Sequence, residues 1–334
     1  MLWPLTIPYG AATRLRAGLY RARILRPRRL DGVVISVGNL TVGGTGKTPM
    51  ALWIAEGLAA EGKHAAILTR GYRGENSSSG TQSDEAQLMH ARLGNRVEIG
   101  VGANRFLIGR EMEKRGVEWF VLDDGFQHMQ LARDVDIVLV DATKPFGGRS
   151  LPAGRRREPR SALGRANIVV ITRSRHAPAV EAAIRRDSQA PIFYALAELR
   201  AIRKLDAEGP GASEVVDAES IRAKKLFAFC GIGNPAAFLA DLQRWNLQVG
   251  DHKFYRDHHR YTQSEFDALA QEAHAAGAEA LVCTEKDAFN LAGVRTNAMD
   301  VFCCVISLCV ERGEEFWRSI ISVAERKKAV GPRA

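Results

Sequence analysis

The stretch Val33–Thr48, VVISVGNLTVGGTGKT, decides the fold that this sequence predicts. It begins with an apolar, β-branched run that is typical of a buried strand, and a glycine-rich turn follows at Gly43–Gly46. Lys47 and Thr48 then lead into Pro49–Gly62, an apolar segment with proline near its start and glycine after its end, as in a helix. Strand, glycine-rich turn and helix in this order are the context of a phosphate-binding loop.

The residue types of this loop predict its chemistry. Glycines let successive backbone N–H groups turn inward around an anion, and the following helix adds the positive end of its dipole. We expect Lys47 to reach the β- and γ-phosphates of a nucleoside triphosphate and the Thr48 hydroxyl to ligate Mg²⁺. An ordinary glycine-rich turn is the alternative, and the matching flanks argue against it. The loop departs from the pattern G-x-x-x-x-G-K-S/T at one position, because Thr41 stands where the pattern has its first glycine. The predicted nucleotide-binding residues are Thr41, Gly43, Gly44, Thr45, Gly46, Lys47 and Thr48.

Composition narrows the class of protein. The 334 residues are 46% hydrophobic and 25% charged, which is typical of a globular chain of about two domains. We expect no transmembrane helix, because the sequence has no apolar run long enough to span a bilayer. We expect no cleavable signal peptide, because the first residues lack a basic n-region followed by an apolar h-region. Five cysteines without metal-ligand spacing indicate reduced thiols in a cytosolic compartment.

The basic charge is concentrated at the start of the chain. The net charge is +9, and the first 30 residues hold seven arginines and no acidic residue. If Ala11–Leu25 is helical, its apolar residues share one face that arginines flank on both sides, which is typical of a helix lying in an anionic membrane interface. The alternative is a helix packed on the protein with a solvated charged face. Nucleic acid is not expected as a partner, because the excess charge is confined to this segment.

Apolar strands alternate with helical segments after the phosphate loop. Their continuous apolarity indicates burial on both faces, so the sequence predicts an α/β fold with a doubly wound, mostly parallel sheet. Residues 200–224 are polar and are interpreted as a linker to a second, smaller α/β unit. The predicted domains are an N-terminal membrane-surface helix at 1–30, a phosphate-loop domain at 31–205 and a smaller domain at 218–330.

Acidic residues provide the first candidates for catalysis. Phe120–Asp124, FVLDD, is an apolar strand that ends in two carboxylates, the form of a Walker B strand. Asp123 and Asp124 are therefore candidate Mg²⁺ ligands at the carboxyl end of a strand, although a polar turn is the alternative. Asp84 and Glu85 open a predicted helix, where they cap it or where one carboxylate accepts the proton of an attacking hydroxyl. The residues alone leave both possibilities open.

Two further clusters are candidates for the same site. Asp257–His259 contains an Asp–His pair that can tune a general base or orient a carboxylate, unless it is a surface loop. Arg155–Arg157 precedes Glu158, and arginines near a phosphate loop can clamp an anionic substrate or stabilise charge during phosphoryl transfer. A solvated loop is again the alternative.

Six motifs in a fixed order resemble one known family. Together they resemble the tetraacyldisaccharide 4′-kinases, the lipid A 4′-kinases of Gram-negative bacteria, over nearly the whole chain. The motifs are SVGNLTVGGTGKTP (Ser36–Pro49), DDGFQHMQLARDVDIVLVDA (Asp123–Ala142), LPAGRRREP (Leu151–Pro159), GIGNPAAF (Gly231–Phe238), DHHRYT (Asp257–Thr262) and TEKDA (Thr284–Ala288). The resemblance implies transfer of the γ-phosphate of ATP, with Mg²⁺, to the 4′-hydroxyl of a tetraacylated disaccharide 1-phosphate. It also implies a peripheral enzyme at the anionic, cytoplasmic face of the inner membrane.

The same resemblance implies roles for individual residues. Asp84 corresponds to the proposed base, in a G-D-E-P motif that here reads SDEA, and His258 corresponds to its partner from the second domain. A base divided between two domains suggests that the domains close on ATP. Arg105, in NRF, resembles an arginine near the substrate. The remaining implied residues are Lys47 in catalysis, Thr48, Glu85, Asp123 and Asp124 at the metal, and Gln127, Arg157 and Glu158 in the active-site neighbourhood.

The main rival interpretation is a membrane-associated P-loop NTPase that acts as a switch or a partitioning motor. A GTPase would carry N-K-x-D or T-K-x-D after a late strand. Here that strand ends in Thr172–Arg175, and Thr284–Asp287 has its lysine one place late. A guanine nucleotide is therefore not expected.

Overall fold

The computed structural model describes residues 6–71, 84–206 and 209–329. The chain divides into two units, and each is described by itself. The first unit comprises Met1–Leu196 and Leu308–Ala334, and the second comprises Ala197–Ser307. The second unit is thus an insertion in the first, a division that differs from the predicted boundaries at residues 205 and 218.

The elements alternate along the chain as in other α/β proteins. The strands are β1 Val33–Asn39, β2 Ala65–Thr69, β3 Glu98–Val101, β4 Trp119–Asp123, β5 Val135–Asp141, β6 Ile168–Thr172, β7 Ile192–Asp206, β8 Gly209–Val216, β9 Leu226–Cys230, β10 Val249–Phe254, β11 Ala280–Thr284 and β12 Val301–Val310. The helices are α1 Thr6–Arg21, α2 Lys47–Ala60, α3 Asp84–Leu93, α4 Arg105–Glu113, α5 Pro178–Arg185, α6 Ala218–Arg222, α7 Pro235–Arg244, α8 Gln263–Ala275, α9 Glu285–Asn290 and α10 Gly313–Ala329. Among the described residues, none of these helices is both long and apolar enough to cross a bilayer.

The first unit contains a parallel sheet with the order β7-β6-β5-β1-β4-β2-β3. Every residue of β1, β2, β4, β5 and β6 is buried, because helices cover both faces of the sheet. Residues of α2, α3 and α10 pack on the face that includes Ile35 and Val37, whereas α4 packs by Val34 and α5 by Val138. The predicted doubly wound parallel sheet is confirmed. The carboxyl ends of β1 and β4 lie side by side, since Val37 pairs with Asp123.

The helix α10 belongs to the first unit, not to the second as predicted. Its residues Phe316, Ile320 and Ala324 are buried in the same core as α2 and β1. The ring centroid of Phe316 lies 5.4 Å from that of Trp53 in α2 and 5.1 Å from that of Phe193 in β7. An apolar helical stripe shows that a helix packs on a core, but not on which core, so the sequence pattern could not decide this.

In the second unit the strands follow the order β10-β9-β11-β12 in parallel pairs, and β7 and β8 form an antiparallel pair. The predicted linker at 200–224 is wrong, because the described residues of this range include the end of β7, the strand β8 and the helix α6. In this part of β7, Ile202 and Leu205 are buried while Arg203 is exposed. Such a half-exposed ribbon carries few apolar residues, and its sequence therefore resembles a polar connection.

Candidate active site

The phosphate loop joins β1 to α2 and leaves the first turn of the helix open to an anion. Gly46 precedes α2 with φ of 90°, and Gly43 has φ of 117°, a region that glycine adopts without strain. Within the part of the chain that the structure describes, no side chain caps α2, and its first turn has no acidic residue. Its N–H groups therefore provide an anion site beside Lys47. The backbone of Thr41 has no positive φ, so the fold does not require glycine there.

Side chains from neighbouring strands hold the loop in place. Asn39 Nδ2 donates a hydrogen bond to Thr45 Oγ1 at 2.8 Å. Arg173, directly after β6, donates from Nη2 to the Gly44 carbonyl at 2.9 Å, and its Nε lies 3.0 Å from Asp141 Oδ2. Arg173 was not singled out from the sequence, where its one signal is its position after an apolar strand. These contacts fix the shape of the loop that the phosphates must enter.

Asp123 provides the carboxylate nearest to the loop hydroxyl. Thr48 Oγ1 donates a hydrogen bond to Asp123 Oδ2 at 3.0 Å. The other oxygen, Oδ1, is buried and has no hydrogen-bond partner among the described residues. Burial raises the pKa of Asp123, although the charge of Lys47 opposes this rise. A buried carboxylate oxygen with spare capacity beside a hydroxyl fits Mg²⁺, which prefers oxygen ligands.

The other two predicted metal ligands make different contacts. Asp124 Oδ1 and Oδ2 lie 2.8 and 2.7 Å from Arg157 Nη1, and Oδ1 lies 3.8 Å from Lys47 Nζ. Glu85, in the first turn of α3, is close enough to Arg105 for its charge to favour the charged guanidinium. Across residues 6–71, 84–206 and 209–329, no three His, Cys, Asp or Glu side chains form a candidate metal site. Beside substrate phosphates, Mg²⁺ commonly takes only one or two carboxylate ligands from the protein.

The pKa values of the adjacent carboxylates Asp123 and Asp124 are displaced in opposite directions. Burial alone would raise the pKa of Asp124, but the charges of Lys47 and Arg157 outweigh burial and lower its pKa. Asp124 also has φ of 51°, in the left-handed region. Neighbouring acids whose pKa values are displaced in opposite directions are typical of active sites. The pair provides one firmly ionised carboxylate and one that a nearby cation would keep ionised.

Gln127 connects the DDGFQH segment to β1 and to the LPAGRRREP segment. Its Nε2 donates to the Asn39 carbonyl at 2.8 Å and to Glu158 Oε1 at 3.0 Å. Arg157 Nη1 donates to Gln127 Oε1 at 3.3 Å, and Arg165 Nη1 to Glu158 Oε2 at 2.8 Å. The structure thus brings together the three residues that the sequence placed in the active-site neighbourhood. Arg165 was not identified from the sequence.

Arg105 lies at the start of α4 and is only 3% exposed. Its Nη1 donates to the backbone carbonyl of Asp124 at 3.3 Å, and its Nε has no partner in the described residues. Burial lowers the pKa of Arg105, and the carboxylates of Asp123 and Asp124 oppose that change. A buried guanidinium with an unused donor is suited to bind an oxygen atom of a ligand.

Asp84 is the first residue of α3, and it is 7% exposed. Its Oδ1 accepts a hydrogen bond from the Glu85 backbone N–H at 2.9 Å, as expected of an acid at a helix start. Residues 72–83, including Ser83 of the SDEA sequence, lie outside the described part of the chain. Capping and proton transfer both remain compatible with this position.

Two further residues near the site were not assigned to it from the sequence. Burial raises the pKa of Tyr9 in α1, and the charges of Arg157 and Glu158 also act on its phenol, so this end of α1 lies near the site. The pKa of His128 is lowered from 6.5 to about 4, first by burial and then by four arginines. His128 is therefore neutral at neutral pH. The arginines are Arg105, Arg133, Arg16 and Arg70.

His258 belongs to the second unit. It has φ of 61°, its backbone N–H donates to the Gly231 carbonyl at 3.0 Å, and its Nε2 lies 3.2 Å from Lys286 Nζ. Asp84 belongs to the first unit. The pairing of His258 with Asp84 stays a prediction.

The chain is similar over nearly its whole length to one group of kinases. Residues 1–325 match the family described as tetraacyldisaccharide-1-P 4′-kinase. The tetraacyldisaccharide 4′-kinase of Pelobacter propionicus is 38% identical over 311 residues, 88% of this chain and 84% of that protein. The protein of the same name from Anaeromyxobacter sp. (strain K) is 39% identical over 300 residues, 85% of this chain and 79% of the relative. A crystal structure of LpxK from Aquifex aeolicus in complex with ATP matches with a TM-score of 0.71 and 28% identity, covering 97% of this chain and 98% of that chain.

Proposed function

The chain belongs to the tetraacyldisaccharide-1-P 4′-kinase family, and from that premise we propose how its residues perform the reaction. The protein is an ATP-dependent kinase that phosphorylates the 4′-hydroxyl of tetraacyldisaccharide 1-phosphate in lipid A biosynthesis. The observation that carries this function is the phosphate loop, in which Lys47 and the open start of α2 face Asp123 and Asp124. Phosphoryl transfer depends on such positioning and charge neutralisation more than on covalent chemistry.

The nucleotide half of the site neutralises the triphosphate. The N–H groups at the start of α2 and the Lys47 ammonium bind the β- and γ-phosphates. Arg157, which Asp124 holds through two contacts of 2.8 and 2.7 Å, stabilises charge on the transferred phosphoryl group. When bound by Thr48 and Asp123, Mg²⁺ supplies further neutralisation of the phosphate oxygens.

The acceptor half of the site prepares the lipid hydroxyl. Asp84 accepts the proton of the 4′-hydroxyl as that oxygen bonds to the γ-phosphorus and the bond from this phosphorus to the β–γ bridging oxygen breaks, which releases ADP. His258 assists Asp84. Arg105 binds an oxygen atom of the lipid headgroup through its unused donor. The support for these roles is the buried position of Asp84, the orphan Nε of Arg105 and the family resemblance of the three residues.

Labelled ATP tests the reaction and the role of Asp84 together. The purified protein is incubated with γ-labelled ATP and detergent-dispersed tetraacyldisaccharide 1-phosphate, and we expect lipid-dependent turnover with the label at the 4′ position. Asp84→Asn should lower kcat by about 10²–10⁴-fold, the usual contribution of a positioned proton acceptor, with little change in ATP binding. Asp31→Asn, at an exposed surface ion pair, is the matched control.

The alternative function gives a different result in the same assay. ATP turnover that ignores the lipid and yields no labelled product would favour a P-loop NTPase switch. An Asp84→Asn variant with full kinase activity would instead remove Asp84 from the mechanism and leave the reaction intact.

We also propose that α1 and the segment after it hold the enzyme on the cytoplasmic face of the inner membrane. No residue of α1 is buried, and Ile7 and Leu15, eight positions apart on one helical face, are each 65% exposed. Ile24 is 70% exposed, and the arginines of the segment are exposed beside these apolar residues. Exposed apolar side chains bordered by arginines match the chemistry of an anionic lipid interface.

Vesicle flotation tests the membrane proposal. We expect the protein to float with vesicles that contain anionic phospholipid and to float less at high salt. The double variant Ile7→Glu, Leu15→Glu should bind at least about a hundredfold more weakly, because each buried apolar side chain contributes about 1.5–3 kcal/mol. Val215→Glu alters an equally exposed apolar residue of the second unit and should bind as the wild type does. Binding that is unchanged in the double variant would contradict the proposal.

A further inference from the structure

Two sequence motifs of the second unit have no role in the function proposed above. These are the GIGN segment after β9 and the TEKD segment at the start of α9. Both lie against the turn that carries His258, since His258 contacts Gly231 through its backbone and Lys286 through its ring. All of these contacts lie within the second unit.

Asp287 fixes the backbone at this point. Its side chain is fully buried and accepts hydrogen bonds from the Gly231 N–H at 2.6 Å, from Tyr261 Oη at 2.8 Å and from Thr284 Oγ1 at 2.5 Å. The Gly231 carbonyl in turn accepts the His258 backbone N–H at 3.0 Å. Asp287 therefore holds both the start of α9 and, through Gly231, the backbone of His258.

The turn around His258 packs too closely for a side chain at position 231. A Cβ atom added to Gly231 would lie 2.8 Å from the Arg256 carbonyl oxygen and 3.0 Å from His259 Cβ. His258 itself has φ of 61°, in the left-handed region, and this conformation is energetically unfavourable for any residue other than glycine. The surrounding contacts thus fix the backbone position from which the His258 side chain extends.

Lys286 contacts one nitrogen of that ring. Its Nζ lies 3.2 Å from His258 Nε2 and 3.6 Å from Asp257 Oδ1, whereas the Nε2–Oδ1 distance is 3.9 Å. The ammonium therefore contacts both the carboxylate and the ring. A lysine ammonium only donates hydrogen bonds, so the nitrogen that it contacts must accept, and the neutral ring then carries its proton on Nδ1.

We infer that Lys286 is a positioning residue that fixes the tautomer of His258, with Nε2 as acceptor and Nδ1–H as donor. The inference rests on the proposed function, in which His258 assists the base. A histidine that orients a carboxylate must present an N–H to it, and fixing the opposite nitrogen as an acceptor selects that tautomer. Lys286 is suited to this task because its side chain is only 18% exposed and Asp257 balances its charge.

Nitrogen NMR of the full-length protein in detergent tests the tautomer directly. With ¹⁵N-labelled histidine and the His258 signals assigned by their loss in His258→Gln, we expect an unprotonated Nε2 and a protonated Nδ1 in the wild type. Lys286→Met should shift His258 toward a mixture of tautomers, and Lys286→Arg should restore the wild-type signals. Lys204→Met, which removes a lysine from an exposed ion pair of the same unit, should change nothing.

Steady-state kinetics then connect the tautomer to the reaction. We expect Lys286→Met to lower kcat about tenfold or more, a part of the roughly 10²–10⁴-fold contribution of positioned proton-transfer groups, with an unchanged KM for ATP. Lys286→Arg should recover most of kcat. A merely structural role would change the unfolding temperature without moving the tautomer.

The outcomes separate this inference from the proposed function. A His258 tautomer that does not respond to Lys286→Met overturns the inference, whatever the activity. If His258→Gln retains full kcat, the role of His258 in the proposed function is wrong, and the positioning role of Lys286 fails with it. A shifted tautomer together with a lowered kcat and rescue by arginine supports both.

Discussion

Replacing Lys47 by methionine is expected to lower kcat about a thousandfold without unfolding the protein. Methionine preserves most of the side-chain volume but removes the positive charge that meets the β- and γ-phosphates, and a single preorganised donor of this kind contributes about 10²–10³-fold. Asp124 keeps its two contacts with Arg157 in the variant, so this carboxylate is not left without a cation. Phosphate transfer to the lipid and thermal unfolding are measured on the same preparation.

Lys114→Met is the matched control for Lys47→Met. Lys114, directly after α4, is exposed and pairs with Glu111 of that helix, and an exposed ion pair contributes little. We expect wild-type kcat from this control. A Lys47→Met enzyme within tenfold of the wild type would show that the loop lysine does not stabilise the transferred phosphate.

Asp123→Asn is expected to lower kcat about a hundredfold and to raise the Mg²⁺ concentration needed for half-maximal rate. Asparagine can still accept the hydrogen bond from Thr48, but its amide is neutral and is a poorer ligand for Mg²⁺. The cost to folding should be small, because burial already raises the pKa of Asp123 and disfavours its charge. Initial rates across a Mg²⁺ titration provide the measurement.

Asp251→Asn supplies the comparison for Asp123→Asn, because Asp251 is an exposed acid of the second unit. Its Mg²⁺ dependence should match that of the wild type. If Asp123→Asn also retained the wild-type Mg²⁺ dependence and kcat, Asp123 would have no place in metal binding.

Local patterns predicted the parts of the fold that depend on local sequence. The apolar run from Val33 and the glycines before Lys47 predicted a buried strand and a phosphate loop, which the structure contains as β1 and the turn before α2. The helix that Asp84 and Glu85 were expected to open is α3, Asp84–Leu93. In each case the sequence signal, either the spacing of apolar residues or the residues that start a helix, lies within the element that it predicts.

Contacts between distant segments could not be predicted in the same way. Arg173 donates a hydrogen bond to the Gly44 carbonyl, which is 129 positions away in the chain, and the sequence of neither segment predicts this contact. Likewise, the sequence around Arg165 does not distinguish it from other arginines in loops, and only the structure shows its hydrogen bond to Glu158. Arg157 and Glu158 were identified from the motif GRRREP because this motif resembles that of a known family. The spacing of apolar residues did not identify them. Partners of this kind depend on tertiary packing, which the pattern of a single segment does not contain.

The place of α10 has a consequence for the order in which the chain can fold during synthesis. The ribosome makes the strands of the first unit early, but Phe316, Ile320 and Ala324, which complete their core, follow the whole of the second unit. The inserted unit is continuous in the chain and can fold as soon as it emerges, since domains generally fold as units during translation. The nucleotide-binding core must instead wait, with one face of its sheet only partly covered, until residues 313–329 have been made. A nascent chain thus exposes the apolar face of its future kinase core for much of its translation, and that interval is when chaperones would be needed most.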